Sequence, residues 1–371
     1  MSDSRAYFEF INSISSTATR QVYIQGLIRF MKFCGLHSVD ELLNIDMQKA
    51  MIDYVVALRN SKLSHNTIHF LLAPIYHFCE MCDITVNKKR IRKYKGEKLR
   101  VVKDRAYTHD EISKLLNISN SRLKAVILLM ASSGIRVGSI NGIQLKHLHK
   151  IAEDIYKITV YENTNDEYFT FCSPECSKAI DTYLEYRKRN SEVLTSESYL
   201  ITRQFNMYDL KQIKNSNKSI SLPALRGLID STAIRAGLRA VNHSKSRRER
   251  KQVALTHAFR KFFTGQLVNS KVNPEIREML LGHSIGLASS YYKPTDEEML
   301  NEYLKAVDSL TIDPTYRLKR EVKALHARQD EIEMMKLMNQ KELQKMYKEF
   351  APLLELKNTL IKEGILKEIN D

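Results

Sequence analysis

The chain has 371 residues, more than one ordinary domain needs and enough to bury two cores with an appendage. Lys and Arg number 58 against 43 for Asp and Glu, and the formal charge of +15 favours a polyanion, with nucleic acid first and an anionic membrane surface as the rival. No apolar run approaches the roughly 20 residues that span a bilayer, the N-terminal "MSDSRAYFEF" lacks signal-peptide layout, and five cysteines without a regular framework suit a reducing compartment, so a soluble cytoplasmic protein without membrane segments is expected.

Residues 1–86 read as helices only. "TRQVYIQGLIRFMKFCG" places Val22, Leu27, Ile28 and Met31 at helical spacing and stops at Gly35, and Asp46 and Ser64 are expected to cap two further helices, the second kinked by Pro74. Cys79 and Cys82 form a C-x-x-C, but no second pair follows at zinc-ribbon spacing, and buried free thiols are the ordinary alternative. Residues 87–105, "NKKRIRKYKGEKLRVVKDR", then hold ten basic residues against Glu97 and Asp104, a net charge of +8. Such a run is either a solvated face or a linker lying along phosphates, and its position between two folded segments favours the linker.

A second domain opens at Thr108 and Glu111, which have capping-box spacing ahead of Ile112, Leu115 and Leu116. The helix in "SRLKAVILLMASSG" ends at Gly134, and Arg136 follows in "GIRVGSI". In "IYKITVYENTNDEYFTF", Ile158 and Val160 alternate with Lys157 and Thr159 before a polar turn at residues 163–166, which predicts a β-hairpin. Ser173 and Pro174 start another helix, with Cys172 and Cys176 flanking that start. Residues 190–255 are the least legible, with a helix expected over 225–236 and a basic, phosphate-facing loop at "SKSRRERK". Thr256 is expected to cap a helix whose Phe259, Phe263 and Leu267 form the buried stripe, leaving His257 and Arg260 on another face. Asn273 and Pro274 start the next helix, which ends at Gly282 with His283 directly after it. Beyond residue 311 the chain is charged and helix-favouring. Leu318, Val322 and Leu325 begin a seam that Gln329 and Lys336 interrupt, so a lone long helix and an imperfect coiled coil both remain open.

Arg136, His257, Arg260, His283 and one of Tyr291 or Tyr292 are the oddly placed polar residues of the second domain, with neither a carboxylate cluster for a metal nor a Gly-rich phosphate loop beside them. Taken singly, each has an ordinary reading: a surface ion-pair partner, a helix-start residue, a packed aromatic. Together they suit metal-free attack of a phenol on a phosphodiester. Two guanidiniums match the nonbridging oxygens and the charge that grows on them. A histidine moves protons near neutral pH. An aryl phosphate ester conserves the bond energy, so strands can be rejoined without ATP. Neighbouring helical residues diverge by about 100°, so only one tyrosine faces a pocket. Tyr291, one turn from Leu287, is the better placed of the two for packing.

These boxes resemble the tyrosine recombinases, the phage-integrase family. "SGIRVGSI" with Arg136 matches the first box, "HAFR" with His257 and Arg260 the second, "LGH" with His283 the third, and Tyr292 stands nine residues on, where the family nucleophile commonly lies. The flavour of residues 280–312 further resembles integrases of archaeal mobile elements.

The resemblance implies a mainly α protein. An all-helical DNA-clasping domain (1–86) and a basic linker (87–105) precede an α+β catalytic domain (106–311) with a small antiparallel hairpin or sheet, and a helical, coiled-coil-like tail (312–371) follows. It implies a site-specific recombinase that forms a 3′-phosphotyrosine without cofactor, on double-stranded DNA attachment sites, as a homotetramer, in the cytoplasm with the nucleoid. A type IB-like topoisomerase and a catalytically decayed DNA-binding protein are the alternatives. The sequence departs from the family at two places. Ser139 stands three residues after Arg136, where Glu or Asp is usual, so the bracing carboxylate is absent or supplied elsewhere. The hairpin turn "ENTNDE" lacks the family lysine, and Lys157 on the incoming strand is the nearest candidate.

Overall fold

The computed structural model describes residues 4–97, 104–152, 154–204, 218–240, 253–286 and 292–363. The chain divides into two units, Met1–Lys103 and Asp104–Asp371, each with its own apolar core.

The first unit is helical: α1 (Arg5–Asn12), α2 (Thr17–Cys34), α3 (Met47–Asn60), α4 (His65–Met81) and α5 (Lys88–Lys93), with a 3-10 turn at Asp40–Asn44. Each of the five helices starts on a side-chain oxygen that accepts an orphan backbone N–H, from Ser4, Ser16, Asp46, Ser64 and Asn87. Gly35 ends α2 in the left-handed region, where a side chain would be strained. The buried face of α2 is Gly26, Leu27, Phe30 and Met31, whereas Val22, one turn before Gly26, is 41% exposed at its edge. Helix α4 runs on through Pro74, whose ring packs on Gly26. The basic run enters the fold before it leaves it, because α5 buries Ile91 completely and Lys95 is 5% exposed with its Nζ 3.1 Å from Nδ1 of His69. Residues 98–103 of that run lie outside the described residues.

The second unit is built around α7 (Ser121–Ser133), buried on all sides from Ala125 to its end. Ahead of it α6 (His109–Asn117) carries the Thr108–Glu111 capping box, and after it comes the short α8 (Val137–Ile140). The expected hairpin is two strands of a three-stranded antiparallel sheet, β1 (Leu148–Ala152), β2 (Ile155–Val160) and β3 (Tyr168–Phe171), in that spatial order. The extra strand β1 lacks alternation, since "LHKIA" is a mixed stretch with Ile151 exposed. Then follow α9 (Pro174–Arg189), α10 (Leu222–Arg235), α11 (His257–Asn269), α12 (Pro274–Leu280), α13 (Asp296–Leu304), α14 (Val307–Leu310) and α15 (Pro314–Lys362). Thr256 occupies the N-cap position of α11 but makes no capping hydrogen bond, its backbone being helical already. The basic loop at 244–251 and the predicted turn of helix through Leu287 and Ser289 lie outside the described residues.

Three side chains close the carboxyl end of α7. Tyr303 donates to Ser132 O at 2.8 Å, Thr170 to Ser133 O at 3.1 Å and Arg260 to Gly134 O at 2.7 Å. A buried helix end must satisfy its last carbonyls with something other than water, and here α13, β3 and α11 supply the donors. At the start of α9 Glu175 accepts the backbone N–H of Ile312 (2.7 Å) and Asp313 (3.2 Å), which fixes the start of α15. Leu318, Val322, Leu325, Ile332, Leu343, Met346, Phe350 and Leu353 keep one heptad register along α15 and are all exposed; Gln329, Lys336 and Asn339 occupy the same seam without breaking the helix. Among the described residues no helix is long and apolar enough to cross a membrane.

A Cβ added at Gly26 would lie 2.6 Å from Cγ of Pro74. Gly26→Ala is therefore expected to cost about 1–3 kcal/mol through overpacking, read as a lowered denaturant midpoint by circular dichroism; an unchanged midpoint would contradict this close approach of α2 and α4.

Candidate active site

Two helices of the second unit end in the same way. Gly134 (φ +63°) follows α7, and Gly282 (φ +62°) follows α12; each takes the left-handed conformation in which a side chain is strained. Space enforces the choice as well, since a Cβ at Gly134 would meet the Phe263 ring at 2.3 Å and one at Gly282 the Tyr168 ring at 2.5 Å. The first polar residue past each turn is a predicted site residue, Arg136 after Gly134 and His283 after Gly282.

Arg260 joins the two ends. On α11 it stands in sequence with the buried Phe259, Phe262 and Phe263 and is only 7% exposed, so the expected separation of Arg260 from the buried stripe does not hold: its guanidinium finds buried polar partners. Its Nη1 donates to Gly134 O at 2.7 Å, and its Nη2 donates to Leu281 O and lies 2.8 Å from Nε2 of His283. Burial, and next the charge of Arg136, push its pKa down, while Tyr168 and Glu278 oppose them. Arg136 itself is exposed and reaches Gly282 O only at 3.5 Å, so its donors face solvent. Arg136, Arg260 and His283 thus converge.

The remaining predicted residues do not join them. His257 is exposed at the first turn of α11, and among the described residues no hydrogen bond or ion pair engages its ring. Tyr292 packs, partly buried, on the core of the unit. Burial first, and then Glu298, Glu302 and Glu275, push its phenol above the ordinary value. These neighbours are acidic, and no hydrogen bond links its hydroxyl to Arg136, Arg260 or His283. Tyr291 lies outside the described residues. Lys157 pairs with Asp296 and covers the Phe169 ring at 4.1 Å, a posture unrelated to the guanidiniums. Ser139 is buried and donates to Arg136 O at 2.6 Å.

Two further residues enter the cluster. Glu278, on the last turn of α12, holds Nδ1 of His283 at 2.6 Å, and that hydrogen bond keeps its carboxyl below the usual carboxylate range. Its position five residues before His283 becomes meaningful only once the turn at Gly282 is known. Tyr168, at the start of β3, packs its ring under Gly282 and buries a hydroxyl that lacks a partner of good geometry. Burial raises its pKa, and the charges of Arg260 and Arg136 oppose that rise. Alternation along the strand marks Tyr168 as an inward or outward residue and nothing more. Among the described residues no group of three or more His, Cys, Asp or Glu side chains could hold a metal ion.

Comparison with known proteins agrees with this architecture. The model of the phage integrase family matches residues 105–298, more than half of the chain. No curated protein sequence matches. Among solved structures, an integrase of the Tn1549 transposon in complex with transposon right end DNA is 16% identical, with a TM-score of 0.52 over 80% of this chain and 96% of that one. A lambda integrase tetramer bound to a Holliday junction is 13% identical, with a TM-score of 0.52 over 78% and 77%. The XerH site-specific recombinase bound to its difH substrate, a pre-cleavage complex, is 14% identical, with a TM-score of 0.51 over 78% and 86%. At these identities the likeness is one of fold.

Arg260 and Arg136 should separate cleanly in stability. Arg260→Ala strips the donor from two buried carbonyls, at about 1–3 kcal/mol for each group left unsatisfied, whereas Arg136→Ala exposes nothing and should leave the unfolding midpoint unchanged. Equal effects in denaturant titrations would contradict the placement of Arg260 between the helix ends.

Proposed function

This chain belongs to the phage integrase family, and from that membership we propose that it is a site-specific DNA recombinase that cuts and rejoins strands through a 3′-phosphotyrosine intermediate. The observation that carries the reading is the convergence of Arg136, Arg260 and His283 at two helix ends, with the Arg136 guanidinium turned to solvent. A phosphodiester entering there meets forked donors for its nonbridging oxygens, and those donors bind more strongly as charge accumulates in the pentacovalent transition state.

In the proposed reaction the phenolic oxygen of Tyr292 bonds to phosphorus while the bond from phosphorus to the 5′-oxygen breaks. His257 takes the phenolic proton, and the leaving oxygen takes up a proton to become a 5′-hydroxyl. Lys157, committed to Asp296, is not assigned as the donor of that proton. The 5′-hydroxyl of a partner strand reverses the step and releases Tyr292. Four protomers exchange strands in two rounds on double-stranded attachment sites, in the cytoplasm and with the nucleoid, the chain itself resembling integrases of archaeal mobile elements. In the free chain burial, and next the charges of Glu298, Glu302 and Glu275, raise the pKa of Tyr292.

The proposed organisation keeps a helical DNA-clasping domain at 1–86, a basic connection at 87–105, a catalytic domain at 106–311 and a tail at 312–371. For the tail, the exposed seam of α15 supports pairing with a second copy of the same helix in parallel. Its polar seam residues Gln329, Lys336 and Asn339 would fix the register at some cost in stability, and Arg328 of one copy would face Glu333 of the other.

Incubating the protein with a nicked suicide substrate built from the element's attachment site should trap covalent protein. Tyr292→Phe should abolish the adduct and Tyr291→Phe should retain it; the reverse outcome would reassign the nucleophile, and sequence-specific binding with no adduct from the unaltered chain would make it a DNA-binding protein only. Plasmid relaxation at any sequence, without recombinants, would make it a topoisomerase. Removing residues 312–371 should lower the oligomeric state seen by sedimentation, and an unchanged state with full strand exchange would remove the proposed role of the tail.

A further inference from the structure

The active site holds two guanidiniums and an imidazole close together, and position 139 offers them no carboxylate, since its serine hydroxyl is spent on Arg136 O. An anion does stand beside them, and it comes from a different element. Glu278 Oε2 is 2.6 Å from Nδ1 of His283, and its Oε1 accepts from Nε of Arg277 at 3.2 Å. The backbone repeats the link: the turn at Gly282 returns His283 N to Glu278 O at 2.9 Å, so the same reversal of the chain positions both contacts.

Proton bookkeeping shows what the carboxylate does. A guanidinium has donors and no acceptor. With Nη2 of Arg260 at 2.8 Å, Nε2 of His283 must accept, and a neutral ring then carries its proton on Nδ1, where Glu278 receives it. A carboxylate on one ring nitrogen thereby decides what the other presents, as in other sites where a base is oriented by a third group. Its charge also offsets the mutual repulsion of Arg136 and Arg260.

Resting on the recombinase reading above, we propose that Glu278 is a positioning residue of the active site. It supplies from α12 the bracing carboxylate that Ser139 does not, and by holding the proton on Nδ1 it aims the Nε2 lone pair of His283 at Arg260, fixing the guanidinium that receives the phosphate. Glu278 itself touches neither DNA nor the reacting atoms.

The test has one arm that needs no DNA. In the full-length chain labelled with 15N-histidine, recorded well above the ordinary histidine pKa and assigned by the signal lost in His283→Asn, the His283 ring should carry its proton on Nδ1. Glu278→Ala should move that proton toward Nε2. It should also slow cleavage of the suicide substrate about 10- to 100-fold, the usual loss when an outer-shell partner is removed, with DNA affinity little changed. Glu278→Gln, whose amide oxygen still accepts from Nδ1, should keep the tautomer and recover part of the rate, and adding Ser139→Asp to Glu278→Ala should also recover part of it. A Glu278→Ala protein with the original tautomer and the original cleavage rate would overturn the proposal. If the unaltered chain forms no adduct at all, the recombinase reading fails, while the tautomer in Glu278→Ala still decides whether the carboxylate orients the ring.

Discussion

A guanidinium held between the carbonyl ends of two helices is the constraint from which the second unit is organised. The last carbonyls of α7 and α12 point into protein, carry the negative end of the helix dipole and need donors. Arg260 answers both, through Gly134 O and Leu281 O, and Tyr303 and Thr170 complete the end of α7. A neutral donor would satisfy the hydrogen bonds but leave the dipoles unanswered, and a lysine lacks the planar fork that spans two carbonyl groups. The same cation is then available to a phosphate at the surface of the cluster, so a structural role and a chemical one share a side chain.

Everything near Arg260 follows from the way those helices stop. The left-handed glycines turn the chain sharply enough for Arg136 and His283 to emerge beside the guanidinium, and Phe263 and Tyr168 fill the space that a side chain at Gly134 or Gly282 would take. Arg260 gives three of its five N–H donors to Gly134 O, Leu281 O and His283, while Arg136 is nearly free. One arginine is thus fixed and the other stays available, an arrangement suited to receiving an anion without first collapsing on it. Tyr292 packs on the core of the unit, and no hydrogen bond among the described residues ties its hydroxyl to this positive cluster.

The parts of this arrangement that were legible in the sequence are those governed by local rules. Gly35, Gly134 and Gly282 end helices because only a residue without a Cβ takes that turn cheaply, and the Thr108–Glu111 box starts a helix because it satisfies orphan N–H groups within four residues. The order of Arg136, His257, Arg260, His283 and Tyr292 pointed to the family, whose model covers residues 105–298. What escaped depends on the third dimension. Burial of Arg260 needs the carbonyls of Gly134 and Leu281, one of them far away in the chain; the pairing of Glu278 with His283 needs the turn between them; strand β1 is recruited by its neighbour rather than by its own pattern. Val22 had the right spacing, one turn before Gly26, yet stays 41% exposed at the edge of the buried stripe. The basic run after residue 87 read as a charge pattern, yet Ile91 within it anchors a helix to the first core.

The most direct measurement is the position of the scissile phosphate in a structure of the full chain bound to its nicked attachment site, with Tyr292→Phe to halt the reaction. The account predicts that phosphate within hydrogen-bond reach of Arg136 and Arg260, with Nε2 of His283 still accepting from Arg260 and position 292 facing the phosphorus. A phosphate bound elsewhere, with Arg260 still engaged only by Gly134, Leu281 and His283, would contradict it.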